Sequence, residues 1–219
     1  MVDKLNLDEF KQALCDVRKA HRLIYAYQSK MLDLTNYIKT KLGFDEYSGR
    51  NLFSYPIGKK QKCYADLNIE NIWAFNFLNT YVFEYYFGKK NELQMSVLQV
   101  SDTGCFDNNA YDDTSTNIDK FECEEKSITK LIFVIEKRVK TKKSAWESLM
   151  IHNELFENQK IMSASHKMDC LNLKGSIQII YSFPLERFLN EETTIEVLKE
   201  FVTYCNDKGI AELKLVDIA

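Results

Sequence analysis

The side chains best suited to chemistry are six carboxylates and a lysine in one short stretch: Asp112, Asp113, Asp119, Glu122, Glu124, Glu125 and Lys126. Metal-dependent nucleases and phosphodiesterases hold a hard cation between two or more carboxylates, and often steady the attacked phosphate or water with a lysine. Asp119, Glu124 and Lys126 meet that demand in residue type. They precede the apolar run Thr129 to Val139 instead of lying within it, and a solvated acidic loop is the better explanation for them. The spacing lacks the central glycine and the terminal glutamate of a calcium-binding EF-hand loop.

Other catalytic signatures are missing from the sequence. Gly58-Lys59-Lys60 and Gly88-Lys89-Lys90 lack the preceding glycine and the following Ser or Thr of a phosphate-binding loop, so both read as turns. His21, His152 and His166 stand at no mutual spacing that makes a metal site or a base–nucleophile pair, and read as surface or packing residues. Cys15, Cys63, Cys105, Cys123, Cys170 and Cys205 are scattered, which predicts free thiols and no structural zinc. The basic run Lys137, Arg138, Lys140, Lys142 and Lys143 has only Trp146 as a neighbouring ring, so binding of single-stranded nucleic acid is not supported. A net charge of −3 supplies no global attraction for nucleic acid or an anionic membrane. No cofactor and no metal are expected.

Aromatic side chains dominate the segment WAFNFLNTYVFEYYF. Trp73, Phe75, Phe77, Tyr81, Phe83, Tyr85 and Phe87 alternate along it, a spacing that puts their rings on one face of an extended strand. Such a face must be covered, by the protein's own helices or by another chain. Trp73, Phe75, Phe77 and Tyr81 are also the residues that would line a pocket for a small ligand. Asn76, Asn79 and Glu84 interrupt the run, and no apolar stretch reaches the ~20 residues that span a bilayer. The polar start MVDKLNLDEF is unlike a secretory signal, which makes the cytoplasm the expected compartment.

The elements follow from caps and periodicity. Asn6 caps a helix over Leu7 to Leu42, Asp8 and Glu9 occupy its first turn, and Gly43-Phe44 ends it. Such a helix is roughly 54 Å long at ~1.5 Å per residue. A compact body of this chain length is roughly 44 Å across. The helix is therefore expected to protrude, break or pack onto another subunit. Phe10, Val17, Ile24, Met31 and Ile38 recur every seven residues, and Leu7, Leu14, His21, Gln28, Thr35 and Leu42 accompany them. His21, Gln28 and Thr35 put polar groups into this seam, where they either face water or fix register with a partner.

Strands are expected over Tyr81 to Phe87, Leu93 to Val100, Thr129 to Val139 and within Leu171 to Phe183, with a turn at Gly88 to Asn91. The stretch from Gly43 to Asn71 reads as irregular, and Asn71 to Leu78 fits either a short helix or a strand. Ser101 to Ile118 reads as a long exposed loop. Helices are expected from Ser144 to Phe156, after Pro184 and after Asn190, with a short terminal strand over Glu212 to Val216. The layout is α+β: a long N-terminal helix and C-terminal helices packed on a largely antiparallel sheet. The 219 residues, 45% hydrophobic and 28% charged, suit one domain over 1–219, with 1–43 a helix that protrudes or mediates assembly.

The expected function is a non-enzymatic interaction or assembly module that self-associates. Its interaction candidates are His21, Ile24, Gln28, Met31, Trp73, Phe75 and Phe77. A metal-dependent phosphodiesterase or nuclease using residues 112–126 is the first alternative, and a small-ligand sensor with the aromatic pocket is the second.

Overall fold

A computed structural model describes residues 6–51, 82–90, 92–107, 118–137, 160–173 and 176–216; the side chains of Asn51, Lys89, Ile118 and Leu173 are not included. The chain divides into two units, Met1–Ile38 and Lys39–Ala219. The first is nearly all of helix α1, Leu7–Lys41. Asn6 caps it reciprocally: its side-chain oxygen accepts from the Glu9 N–H at 2.9 Å, and the Glu9 carboxylate accepts from the Asn6 N–H at 2.9 Å. Exposed pairs such as Lys19 with Asp16, at 2.9 Å, support its outer surface.

The helix ends within the second unit, and the end is sharply defined. Gly43 adopts φ 72°, its N–H donates to Thr40 O at 3.0 Å, and the Phe44 N–H donates to Lys39 O at 3.1 Å. That pair of bonds is a Schellman cap, which favours glycine because a side chain strains the left-handed backbone. Phe44 is then buried against Phe87, with ring centroids 6.2 Å apart.

Six described strands form one antiparallel sheet: β1 (Ser48–Asn51), β2 (Val82–Lys90), β3 (Leu93–Val100), β4 (Lys130–Lys137), β5 (Met168–Leu173) and β6 (Ser176–Pro184). Their spatial order is β1-β2-β3-β4-β6-β5. With helices at both ends, this is the expected α+β architecture. Two strands fall outside the sequence reading: β1 lies in the stretch read as irregular, and β5 is a separate strand ahead of β6. The expected turn at Gly88 is instead a bulge in β2, where Gly88 takes φ 75° and the register shifts between Tyr86 and Lys89. The terminal strand over Glu212 to Val216 does not form; that segment runs beside the end of α1, where the Val216 N–H donates to Lys41 O at 2.8 Å.

Both faces of the central strands are covered. On one, Phe133 and Phe183 meet Phe201 of helix α3 (Glu191–Asp207), the Phe133 and Phe201 rings lying edge to face with centroids 5.0 Å apart. Asn190 caps α3 reciprocally with Thr193, and the Glu200 carboxylate accepts from the Tyr181 hydroxyl and from Arg187. On the other face, Val82, Leu98, Val100, Ile132, Val134 and Ile180 form a core with Cys105, Phe106, Ile161 and Met162. Cys105 and Phe106 belong to a single helical turn, α2 (Gly104–Asp107), which corrects the expectation of a fully exposed loop from Ser101 onward. The turn forms because the Asp102 carboxylate accepts from the Gly104 N–H at 2.7 Å, and it stays because Phe106 buries. Trp73, Phe75, Phe77 and Tyr81, together with the expected helix 144–156, lie outside the described residues.

Replacing Phe201 by Ala removes the ring that joins α3 to Phe133 and Phe183. The expected loss is about 3–5 kcal/mol in urea unfolding. A loss within ~0.5 kcal/mol, the range of ordinary surface changes, would show that α3 does not depend on this contact.

Candidate functional site

Two side chains with shifted pKa values, Lys130 and His166, lie together at one end of the sheet. Lys130 opens β4 and is fully buried, so its ammonium has lost its water. Its Nζ donates to Ile161 O at 2.8 Å and to Ser163 O at 2.6 Å, the carbonyls of the short turn Lys160–Met162 and its exit. Burial pushes its pKa down to about 7, against the pull of the nearby Asp107 carboxylate. Asp107 is itself engaged, accepting from the Ala164 N–H at 2.7 Å, while its second oxygen is buried without a hydrogen bond among the described residues. A neutral amine has two N–H groups, and the fold offers Lys130 two carbonyls.

His166 stands beside this clamp. Its Nδ1 lies 2.9 Å from Ser182 Oγ, and its Nε2 lies 2.8 Å from the Asp169 carboxylate. Because a carboxylate only accepts, Nε2 carries the proton and Nδ1 accepts from the Ser182 hydroxyl. Burial lowers the pKa of His166 despite the bond to Asp169, and Lys130 lowers it further when protonated. Serine, imidazole and carboxylate are thus ordered as in a base-activated serine. Ser182, however, is 8% exposed in β6, and its N–H donates to Lys167 O at 2.7 Å. The arrangement ties β5 to β6 and keeps the Ser182 hydroxyl buried. His166 is therefore no simple surface residue; its partners come from strands whose pairing the sequence does not announce.

The acidic stretch is arranged differently. Asp119 is exposed in the turn Ile118–Lys120, Glu124 is exposed, and Lys126 pairs with Glu122 at 3.4 Å. The Cys123 N–H holds the Glu122 carboxyl below its ordinary pKa. Asp112 and Asp113 lie outside the described residues. Among the described residues, no three His, Cys, Asp or Glu side chains converge as metal ligands. Five described cysteines, Cys15, Cys105, Cys123, Cys170 and Cys205, are free thiols. No described helix is long and apolar enough to cross a membrane.

On α1, the interaction candidates separate by burial. Ile24 and His21 are exposed and Gln28 is half-buried, whereas Met31 is 2% exposed and so unavailable on the surface. Thr35 is buried too, and its hydroxyl donates to Met31 O at 2.7 Å, so this polar seam position is satisfied within its own helix. Leu7, Phe10, Leu14, Val17 and Ile24, by contrast, are 41–67% exposed.

A family model described as PM0109 matches residues 8–212. The chain belongs to the PM0109 family. No curated protein and no solved structure matches it. The family match begins in the first turn of α1 and ends beyond α3, so the exposed helix belongs to the PM0109 pattern together with the sheet.

The Lys130 clamp of this PM0109 family member has a pH signature. Unfolded, the lysine titrates near pH 10.4; folded, near 7. Between those values the unfolded chain holds the extra proton, so this group makes stability rise with pH, and its penalty is complete below about 7. Buried thiols such as Cys105, pushed up to about 12, oppose the trend above about pH 8.5, where unfolded thiols ionise. Urea unfolding from pH 7 to 8.5 should give the wild type a steeper slope than Lys130→Met, by about 1 kcal/mol per pH unit. Parallel slopes would refute a depressed lysine.

Proposed function

We propose that this protein is a non-enzymatic assembly module that associates with copies of itself through the exposed N-terminal part of α1. The observation that carries the reading is the apolar stripe Leu7, Phe10, Leu14, Val17 and Ile24. These side chains lie at alternating three- and four-residue spacing, apart from the step across His21, and none is buried within the chain. Of the exposed large hydrophobic residues described, most lie on this helix; Met168, Leu189 and Val216 are the ones elsewhere. A helical stripe of this size in water favours association.

A second copy fits the stripe better than an unrelated surface does. The heptad places Leu7, Leu14, His21 and Gln28 at one core position and Phe10, Val17 and Ile24 at the other. In a parallel bundle each residue meets its own kind, so Gln28 amides can pair and His21 marks the register. Flanking the seam, Ala13 and Ala20 permit close approach and face Arg18 and Tyr25 of the neighbouring helix, with no like charges opposed. Leu7 and Leu14 at the first core position, with β-branched Val17 and Ile24 at the second, favour three or four helices over two.

Light scattering at micromolar concentration should give a mass three or four times that of one chain. Leu14→Asp with Ile24→Asp should reduce it to a single chain that keeps its folded circular-dichroism spectrum, since both side chains are exposed within one chain. The melting temperature should fall and lose its dependence on protein concentration. A monomeric wild type would end this reading.

A further inference from the structure

The sheet face that carries Ile132 and Val134 also carries a strip of polar side chains. At its first end, the buried Glu84 carboxylate accepts from Arg50 Nε at 2.7 Å and from Ser96 Oγ at 2.6 Å, so both its oxygens are occupied. Two residues before Ser96, Gln94 stands opposite Glu136, and Glu136 stands opposite Gln178. All three are buried on adjacent strands, and side chains directly opposite one another share a face. Gln94 Nε2 donates to Glu136 Oε2 at 3.1 Å. Gln178 is wholly buried, and among the described residues neither its amide nitrogen nor its amide oxygen has a hydrogen-bond partner.

This is an expensive arrangement in a fold that satisfies the other end of the same strip. An amide stripped of water with both functions unmet costs more than the leucine that would fill the same space. Among the described residues Glu136 forms no ion pair, although Arg50 shows that this face can supply a cation. Glu136 and Gln178 are cross-strand neighbours, within reach of one small group, yet they do not bond to each other. Glu136 is also the penultimate residue of β4, so the row lies near the end of the sheet and not at its middle.

We propose that Glu136 and Gln178 bind a small ligand through a flat N–C–N edge bearing two parallel N–H donors. Such an edge pairs bidentately with a carboxylate, and a third polar atom of the ligand reaches the amide. Two kinds of molecule carry this chemistry. A guanidinium compound donates a further N–H to the Gln178 oxygen and neutralises Glu136. A guanine base presents its N1–H and N2–H to Glu136, and its O6 accepts from the Gln178 amide nitrogen. The site is independent of the helix stripe and holds whether or not the chain self-associates.

Calorimetric titration and thermal melts of the full chain test this, with agmatine and guanosine monophosphate as separate probes at up to millimolar concentration. Saturable binding of one probe is expected, with a melting temperature that rises with its concentration. Agmatine alone would identify the guanidinium source, and the nucleotide alone the base. Glu136→Gln, which keeps the side-chain volume and removes the charge, should weaken binding at least tenfold. Gln178→Leu should melt higher than wild type without ligand and lose the ligand-induced rise. If Glu136→Gln does not fold, Gln178→Leu decides the question alone. No saturable binding of either probe, or binding undiminished in the variants, overturns the proposal.

Discussion

Burial of β4 on both faces is the constraint on which the rest of the body depends. From Lys130 to Glu136 this strand is buried at every position, between α3 on one side and the turns at 104–107 and 160–162 on the other. A polar group there has no water to fall back on, so it must find a partner inside the protein. Lys130 finds two carbonyls, and by holding them it fixes the turn that carries Ile161 and Met162 into the core. Glu84 on β2 answers the same demand with Arg50, which ties the short edge strand β1 to the sheet by a side chain as well as by its ladder. The polar residues of the central strands thus determine which turns and edges can dock.

The helix α1 obeys a different balance. Its two ends are specified by local bonds, the Asn6–Glu9 box at the start and the Schellman cap at Gly43. Between them, burial is confined to Met31, Thr35 and Ile38. Isolated helices draw little stability from propensity alone, and packing of an apolar face normally supplies the rest. In the first four turns of α1 that apolar face is present and exposed.

Much of this fold was legible in the sequence because local chemistry and tertiary structure agree. Asn6, Gly43 and Asn190 act as caps where their types suggest, and the apolar runs of β3, β4 and β6 are strands. Phe83, Tyr85 and Phe87 share a face as their alternation requires, with Tyr85 and Phe87 buried. What could not be read has a common cause. Alternating polar residues in LQMSVLQV and SIQIIYSFP ordinarily mark a solvated face, yet here Gln94, Ser96 and Gln178 are buried. Lys130 and Glu136, at the ends of an apolar run, look like its solvated flanks. The chain Ser182–His166–Asp169 requires knowing that β5 folds back on β6, and MDCLNL carries few of the β-branched residues that announce a strand.

The order of strands also has a consequence for how the chain reaches this state. Strand β4 lies between β3 and β6, and its last partner arrives late: Lys130 pairs with Pro184, well along the chain. Each of these pairings closes a long loop before any ladder bond compensates for the lost chain entropy, which places folding in the slow regime of non-local antiparallel sheets. During synthesis, the run from Leu131 to Ile135 is made before the β6 strand and α3 that will cover it. Until they arrive, an apolar strand with one unpaired edge is exposed to neighbouring chains. The charges at its two ends, Lys130 and Glu136-Lys137, sit where gatekeeping residues protect such a segment. The lysine that later clamps the core would then begin its life keeping nascent chains apart.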